Sequence, residues 1–298
     1  MTGVILAVAM TLTSPAPCGT LLLPVAGKNA TALCRDHKLR VFALPEGKLL
    51  RTIDGGSARL ALSTISDDGR FVMVSDYAGD VSVLDTSTGE ASFKQHINHY
   101  LTAAAFSHGG RLLAVASGAE RVRIIDIASK SVVQELEPTT FTGAIAFSRD
   151  DQMIATADEK SVRIYDVEGR RLSRNDDFLM SPLALDFSAD GKQVIAGGAD
   201  KAVLFIDVAT GKTLRRTTMP DAVMWTGFSP DGKNVAVATM HADNLQLPSP
   251  VVFSRIASPH TKTQWMPPKD VVGGGWTRDG HFIAAIAANG AVQLQPVR

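Results

Sequence analysis

A five-residue turn recurs along this chain at a nearly constant interval, and that recurrence limits the fold more than any single residue does. The clear copies are Ile65-Ser66-Asp67-Asp68-Gly69, Phe106-Ser107-His108-Gly109-Gly110, Phe147-Ser148-Arg149-Asp150-Asp151 and Phe187-Ser188-Ala189-Asp190-Gly191. Two more follow at Phe228-Ser229-Pro230-Asp231-Gly232 and Trp276-Thr277-Arg278-Asp279-Gly280, and a weaker one opens the series at Val25-Ala26-Gly27-Lys28-Asn29. Their first residues are separated by 40, 41, 41, 40, 41 and 48 residues, so five of the six intervals agree to within one. A fixed period of this length marks a repeat architecture, in which each unit buries its apolar surface against the next.

Every unit has the same internal grammar. A short apolar segment such as Leu101–Phe106 or Gly143–Phe147 precedes the turn, and a second run such as Leu112–Ser117, Met153–Ala157 or Val194–Gly198 follows it. A third segment alternates with period two, at Val81/Val83, Val122/Ile124, Val162/Ile164, Val203/Phe205 and Val292/Leu294. Such alternation of β-branched residues is a strand pattern. A more polar fourth segment, such as Lys212–Arg216, completes the unit. The pattern predicts an all-β, seven-bladed β-propeller of four-stranded antiparallel blades. Blades are wedges, so the strand nearest the axis must be slender. Ala103–Ala105, Ala144, Ala146, Ala184 and Gly273–Gly275 meet that demand, and Trp225 breaks it. A large residue at Ala144 is expected to overpack the hub.

The turn motif and the pairs Leu84-Asp85, Ile125-Asp126, Tyr165-Asp166 and Ile206-Asp207, which close the third segments, resemble the WD40-repeat family over nearly the whole chain. Those pairs stand where the family usually has Trp-Asp. The chain departs from the family pattern in three ways. No unit has a Trp before that Asp, the Asp is lost at Phe42-Ala43, Phe253-Ser254 and Leu294-Gln295, and no Gly-His precedes a first strand. The family's His–Ser/Thr–Asp–Trp side-chain network is therefore incomplete in every blade. The resemblance is closer to the divergent propellers of bacteria than to a eukaryotic signalling scaffold. It implies a rigid, non-catalytic frame that binds a protein or peptide.

Composition narrows the function classes. Thirty Lys and Arg balance thirty Asp and Glu, so no excess of cation exists to neutralise a phosphate backbone, and nucleic acid is not an expected partner. A hydrophobic content of 45% excludes a disordered chain. The two cysteines are too few for a disulfide framework or a Cys-rich zinc site. Cys18 and Cys34 flank the first hairpin, whose turn at Gly27–Asn29 would set Cys34 nearer Leu22, so a bridge between them needs irregular geometry.

The N-terminal segment 1–18 has two readings. Val4–Met10 is an unbroken apolar run, too short to span a bilayer but suited to the core of a secretory signal. No Lys or Arg precedes it, and the spacing of outer strands elsewhere places Val8–Thr13 where the last blade lacks its fourth strand. Residues 19–298 then form one propeller domain, and export and a cytoplasmic location both stay open.

Chemistry-bearing motifs are few. The chain has no G-x-S-x-G, no phosphate-binding loop of the G-x-x-x-x-G-K-[ST] kind and no H-E-x-x-H, and no catalytic residue, metal ligand or cofactor is assigned. One face of a propeller collects the turns between second and third strands and the loops between blades, and propellers usually bind there. His99 and Tyr100 fall in one such loop, with His96 beside them. The long interval puts an insertion in Thr239–Pro250, which carries His241 and Asp243. Trp265 falls in the loop leading to blade seven. His99, Tyr100, His241, Asp243 and Trp265 are the candidate partner-binding residues of an expected monomer. A metal held by His96, His99 and His241 is the sharper but less favoured reading, solvated loop histidines the plainer one. An acidic rim of Asp80, Glu120, Asp158 and Asp200 is better read as turn residues accepting backbone N–H groups. Arg123 and Arg163, at equivalent positions, are expected to pair between blades. The alternative function is a lactonase-like hydrolase with a metal in the axial channel. It needs inward acidic and amide groups, of which Asp186 is the clear example.

Overall fold

The computed structural model describes residues 8–11, 18–22, 24, 29–34, 36–43, 47–55, 60–97, 99–118, 121–240, 251–256, 262–265, 271–276, 282–287 and 291–296. These residues build seven antiparallel sheets of four strands each, and no helix occurs among them. The first strands of the blades are Cys18–Leu22, Leu60–Ile65, Leu101–Phe106, Thr142–Phe147, Pro182–Phe187, Ala222–Phe228 and Val271–Trp276. Six of the seven anchor residues read from the sequence are the last residues of these strands. The seventh, Val25, lies outside the described residues. In the seventh blade Val8–Thr11 takes the outer position, antiparallel to Ala291–Pro296, with Val8 opposite Leu294.

Apolar contact between neighbouring sheets makes the ring. Blades two and three share a core in which Met73, Val83 and Phe93 meet Leu101, Leu113 and Val115. Equivalent cores join blades three and four around Tyr165 and Phe147, four and five around Phe187 and Leu204, and five and six around Phe205 and Phe228. Leu39 and Val41 pack on Val72 and Val74 between blades one and two, and Val251 on Trp276 between six and seven. The first strands of blades seven and one touch and complete the circle. Each sheet thus covers its neighbour's apolar face, which no single four-stranded sheet could do alone.

The recurring turn is explained by one buried hydroxyl. Ser66, Ser148, Ser188 and Ser229 each donate to the Asp two residues on, at 2.5–2.7 Å, and accept the N–H of the residue five on at 2.9 Å. The Asp then accepts a further backbone N–H, from Arg70, Gln152, Lys192 or Lys233. Gly follows because the next position has positive φ, at Gly69, Gly110, Gly191 and Gly232. The Asp that closes the third strand has a parallel task on the same face. Asp126 accepts the Ser129 N–H and pairs with Arg111, and these bonds hold its carboxyl down to about 2.

Each first strand also carries a bulge that leaves no common residue in the sequence. The register slips at the same place in every blade, at Gly19, Ala61, Thr102, Gly143, Leu183, Met224 and Val272. In blade one the slip corrects the sequence-based register. Leu22 faces Thr31, and the extra residue Gly19 brings Cys18 opposite Cys34. Cys34 is disulfide-bonded. The irregular geometry that the bridge requires is this bulge.

Close approach between blades is enforced locally rather than everywhere. A Cβ on Gly197, in the second strand of blade five, would lie 2.2 Å from Val223 Cγ1 in the next blade, whereas one on Gly275 meets nothing within 4 Å among the described residues. Trp225 fits because Gly227 leaves room: a Cβ there would stand 3.0 Å from the indole. Gly197→Ala is expected to cost about 1–3 kcal/mol in chemical denaturation by forcing the two blades apart. Gly275→Ala should stay within about 0.5 kcal/mol of the parent.

Candidate functional site

The two faces of the ring differ in what they leave exposed. The hairpin face, which carries the turns between first and second and between third and fourth strands, consumes its polar groups in the Ser and Asp networks above. No large hydrophobic is exposed in those turns among the described residues. The opposite, loop face exposes Tyr77, Tyr100, Phe141, Leu179, Met180, Met224 and Met240. The remaining exposed large hydrophobics, including Val132, Val133 and Leu214, lie on fourth strands.

The last five of these loop-face groups form an arc across blades four to six. The ring of Phe141 and the side chain of Leu183 both lie beside Gly143, where an added Cβ would be 3.3 Å from Phe141 Cε1 and 3.7 Å from Leu183 Cδ2. Leu179 and Met180 stand just before Pro182, on the same loop. Met224 is the bulge residue of blade six, and Met240 faces Ala222 at the same end of that blade. Leu179 is 71% exposed and Met180 54%, yet their loop is firmly held. The preceding Phe178 is buried in the core between blades four and five. Asp200, whose side chain is only 4% exposed, accepts the Leu179 N–H at 2.9 Å and the Ala202 N–H at 3.1 Å, and pairs with Arg216. The Arg216 guanidinium also donates to the Asp177 carbonyl at 2.8 Å. Buried Asn175 donates to Gly211 O and Thr213 Oγ1, and Asp177 N–H donates back to Asn175 Oδ1. An apolar pair on a braced loop has little freedom left to lose on contact.

Beside Phe141 a polar cleft of about 620 Å³ opens on blade four, lined among others by Thr139, Thr140, Asp158, Lys160, Arg163 and Arg174. Asp158 is buried, accepts from Ser161 and pairs with Arg163 at 3.0 Å. Arg174 pairs with Asp176 at 2.7 Å. The apolar arc therefore borders a charged cleft at its blade-four end.

The residues nominated from the sequence divide. Tyr100 and His99 are exposed on the loop face, and the Ile97 N–H bond to Gly79 O holds their loop against the turn that carries Tyr77. Tyr77 is as exposed as Tyr100, and nothing in the sequence pattern singles it out. His241 and Asp243 lie outside the described residues. Trp265 is not in a loop: it ends the fourth strand of blade six, opposite Val251. His96 pairs with Asp80 at 2.7 Å, and no group of three or more His, Cys, Asp or Glu among the described residues could hold a metal. Asp80 and Asp158 bond side chains and Asp200 backbone N–H groups, while Glu120 lies outside the described residues. Arg123 pairs with Glu135 and Arg163 with Asp158 within their own blades, and the charge of Glu137 in blade three also acts on Arg163 of blade four. Glu137 makes an inter-blade pair with Arg171, at 2.5 Å.

Comparison with known proteins agrees with the geometry. The model of the WD domain, G-beta repeat, matches residues 134–166, which run from the fourth strand of blade three through the third strand of blade four. A WD repeat-containing protein SL1-17 from Schistosoma mansoni is 26% identical over 148 residues, covering 49% of each chain. The U3 small nucleolar RNA-associated protein 21 homolog of Schizosaccharomyces pombe is 26% identical over 66% of this chain and 22% of its own length. The Pre-mRNA-processing factor 19 homolog 2 of Arabidopsis thaliana is 26% identical over 63% of this chain and 38% of its own. The matches thus span about half or less of each relative. Fold, turn motif and these similarities together support a likeness to the WD40-repeat family.

Asp186, the acidic exception in a first strand, turns out to join two blades. Its carboxylate accepts the Phe228 N–H of blade six at 2.6 Å. Burial against the neighbouring blade raises its pKa to about 6, against the opposing pull of the Phe228 N–H, His108 and Arg149. A carboxyl raised above its unfolded value of about 3.9 stabilises most when protonated, and that contribution is lost as pH rises from about 4 to about 6. Asp186→Asn keeps an acceptor for Phe228 without the charge. Its melting temperature should exceed the parent's at pH 7.5, with the difference vanishing below about pH 4.

Proposed function

We propose that the protein is a non-catalytic WD40-type scaffold that binds a protein or peptide partner on its loop face, through the arc over blades four to six. The observation that carries the reading is the braced loop 176–181, which holds Leu179 and Met180 in solvent while burying Phe178 behind them. Three methionines among the arc's apolar groups supply a surface that can adapt to a partner's shape. Tyr77, His99 and Tyr100 on blades two and three form a second contact area on the same face. The names of the U3 small nucleolar RNA-associated and Pre-mRNA-processing relatives are consistent with a component of larger assemblies.

The hydrolase alternative needs polar ligands at the channel mouth. The bulge residues of the seven first strands, Gly19, Ala61, Thr102, Gly143, Leu183, Met224 and Val272, include no carboxylate or imidazole. A stoichiometric divalent ion in purified protein would nonetheless favour it.

Binding is tested by affinity capture from the source cells, comparing the parent with Leu179→Glu/Met180→Glu and the fourth-strand control Leu214→Glu. The Leu179/Met180 variant should lose its specific partner by about tenfold or more, while the control keeps it. Equal capture by that variant, at an unchanged melting temperature, would rule out the arc.

A further inference from the structure

A single histidine joins three blades on the hairpin face. His108 stands in the turn of blade three, and its half-buried ring lies between blades two and four. Nδ1 is 2.6 Å from Asp67 Oδ2, and Nε2 is 3.2 Å from the carbonyl oxygen of Phe147. Both partners are acceptors with no hydrogen to give. A neutral imidazole has one N–H and satisfies one of them; an imidazolium has two and satisfies both. The backbone below the ring is tied to blade four as well, because the N–H groups of His108 and Gly109 donate to the two oxygens of Asp151 at 2.7 and 2.8 Å. Asp151 has φ of 57°, at the position where blades two, three, five and six have glycine. Left-handed backbone is thus accepted at the residue whose carboxylate makes this clamp.

We propose that His108 is a proton-dependent clamp: as an imidazolium it ties the hairpin turns of blades two, three and four into one unit, and loss of its proton releases one of its two ring bonds. The charged groups around it favour the cation. Asp67 comes from blade two, Arg149, Asp150 and Asp151 from the turn of blade four, and Asp186 from the first strand of blade five. Four carboxylates thus stand against one guanidinium. Burial of the ring works against its charge, but the bond and charge of Asp67, then the Phe147 carbonyl and Asp151, outweigh that and raise its pKa. A histidine raised in the folded state gives stability that is complete below its unfolded value of about 6.5 and is lost as pH rises through the folded one.

The test is an NMR titration of the imidazole Cε1–H of the full chain, with His108 assigned by the resonance missing from His108→Gln. Thermal unfolding of the parent, His108→Gln and Asp67→Asn from about pH 6 to about pH 8.5 accompanies it. The parent midpoint should lie above about 6.5 and fall in Asp67→Asn, and the parent should lose melting temperature across the range relative to His108→Gln. A parent midpoint at or below about 6.5, or parallel melting profiles of the parent and His108→Gln, would overturn the clamp. If His108→Gln fails to fold, through-bond assignment of the isotope-labelled parent identifies the His108 resonance, and its titration decides the matter.

Discussion

Face-to-face burial between neighbouring sheets is the constraint on which everything else in this molecule rests. A blade of four short strands has two apolar faces and no means of covering either, so each must lie between two others. Val83 and Leu113, Ile154 and Leu136, or Phe205 and Phe228 are buried only because the adjacent blade is present. The ring that results has little tolerance where a blade leans hard on the next, as at Gly197 against Val223. It has more where the strand itself leaves a gap, as Gly227 does for Trp225 two residues before it.

Ring closure also assigns different tasks to the two ends of the wedges. On the hairpin face the buried hydroxyls of Ser66, Ser148, Ser188 and Ser229 and their Asp partners are occupied in holding tight turns. The longer carboxylate and imidazole bridges, Asp186 to Phe228 and His108 to Asp67, reach from blade to blade. On the loop face the backbone is longer and less repetitive. There the same kind of bonding, Asp200 to the Leu179 N–H, fixes a loop that turns apolar side chains outward. Rigidity at one end and display at the other follow from one architecture.

The repeat makes the fold legible in the amino-acid sequence. The anchors Ile65, Phe147, Phe187 and Phe228 end first strands because an aromatic or aliphatic residue followed by Ser-x-Asp is what a buried strand entering a tight turn requires, and Phe106 and Trp276 hold the same place before Ser-x-Gly and Thr-x-Asp. The bulges are not legible, since Gly19, Thr102, Leu183 and Met224 share no chemistry and the slip is set by wedge geometry; the placement of Cys18 opposite Cys34 is hidden with them. The candidate site is legible only in part. Tyr100 can be read as an exposed loop aromatic, but which of Phe178, Leu179 and Met180 faces inward depends on the loop path that Asn175 and Asp200 impose. Trp265 reads as a loop residue because the fourth strand of blade six runs two residues beyond its last β-branched residue, Thr263.

The loop face displays its apolar pair from a fixed loop, and the Leu179 amide reports on that central claim directly. Hydrogen exchange measured residue by residue should find that amide protected to the same degree as amides of the flanking strands Arg171–Asn175 and Pro182–Phe187, because Asp200 holds it. Exchange of Leu179 at the rate of an open peptide, with those strands still protected, would contradict the account.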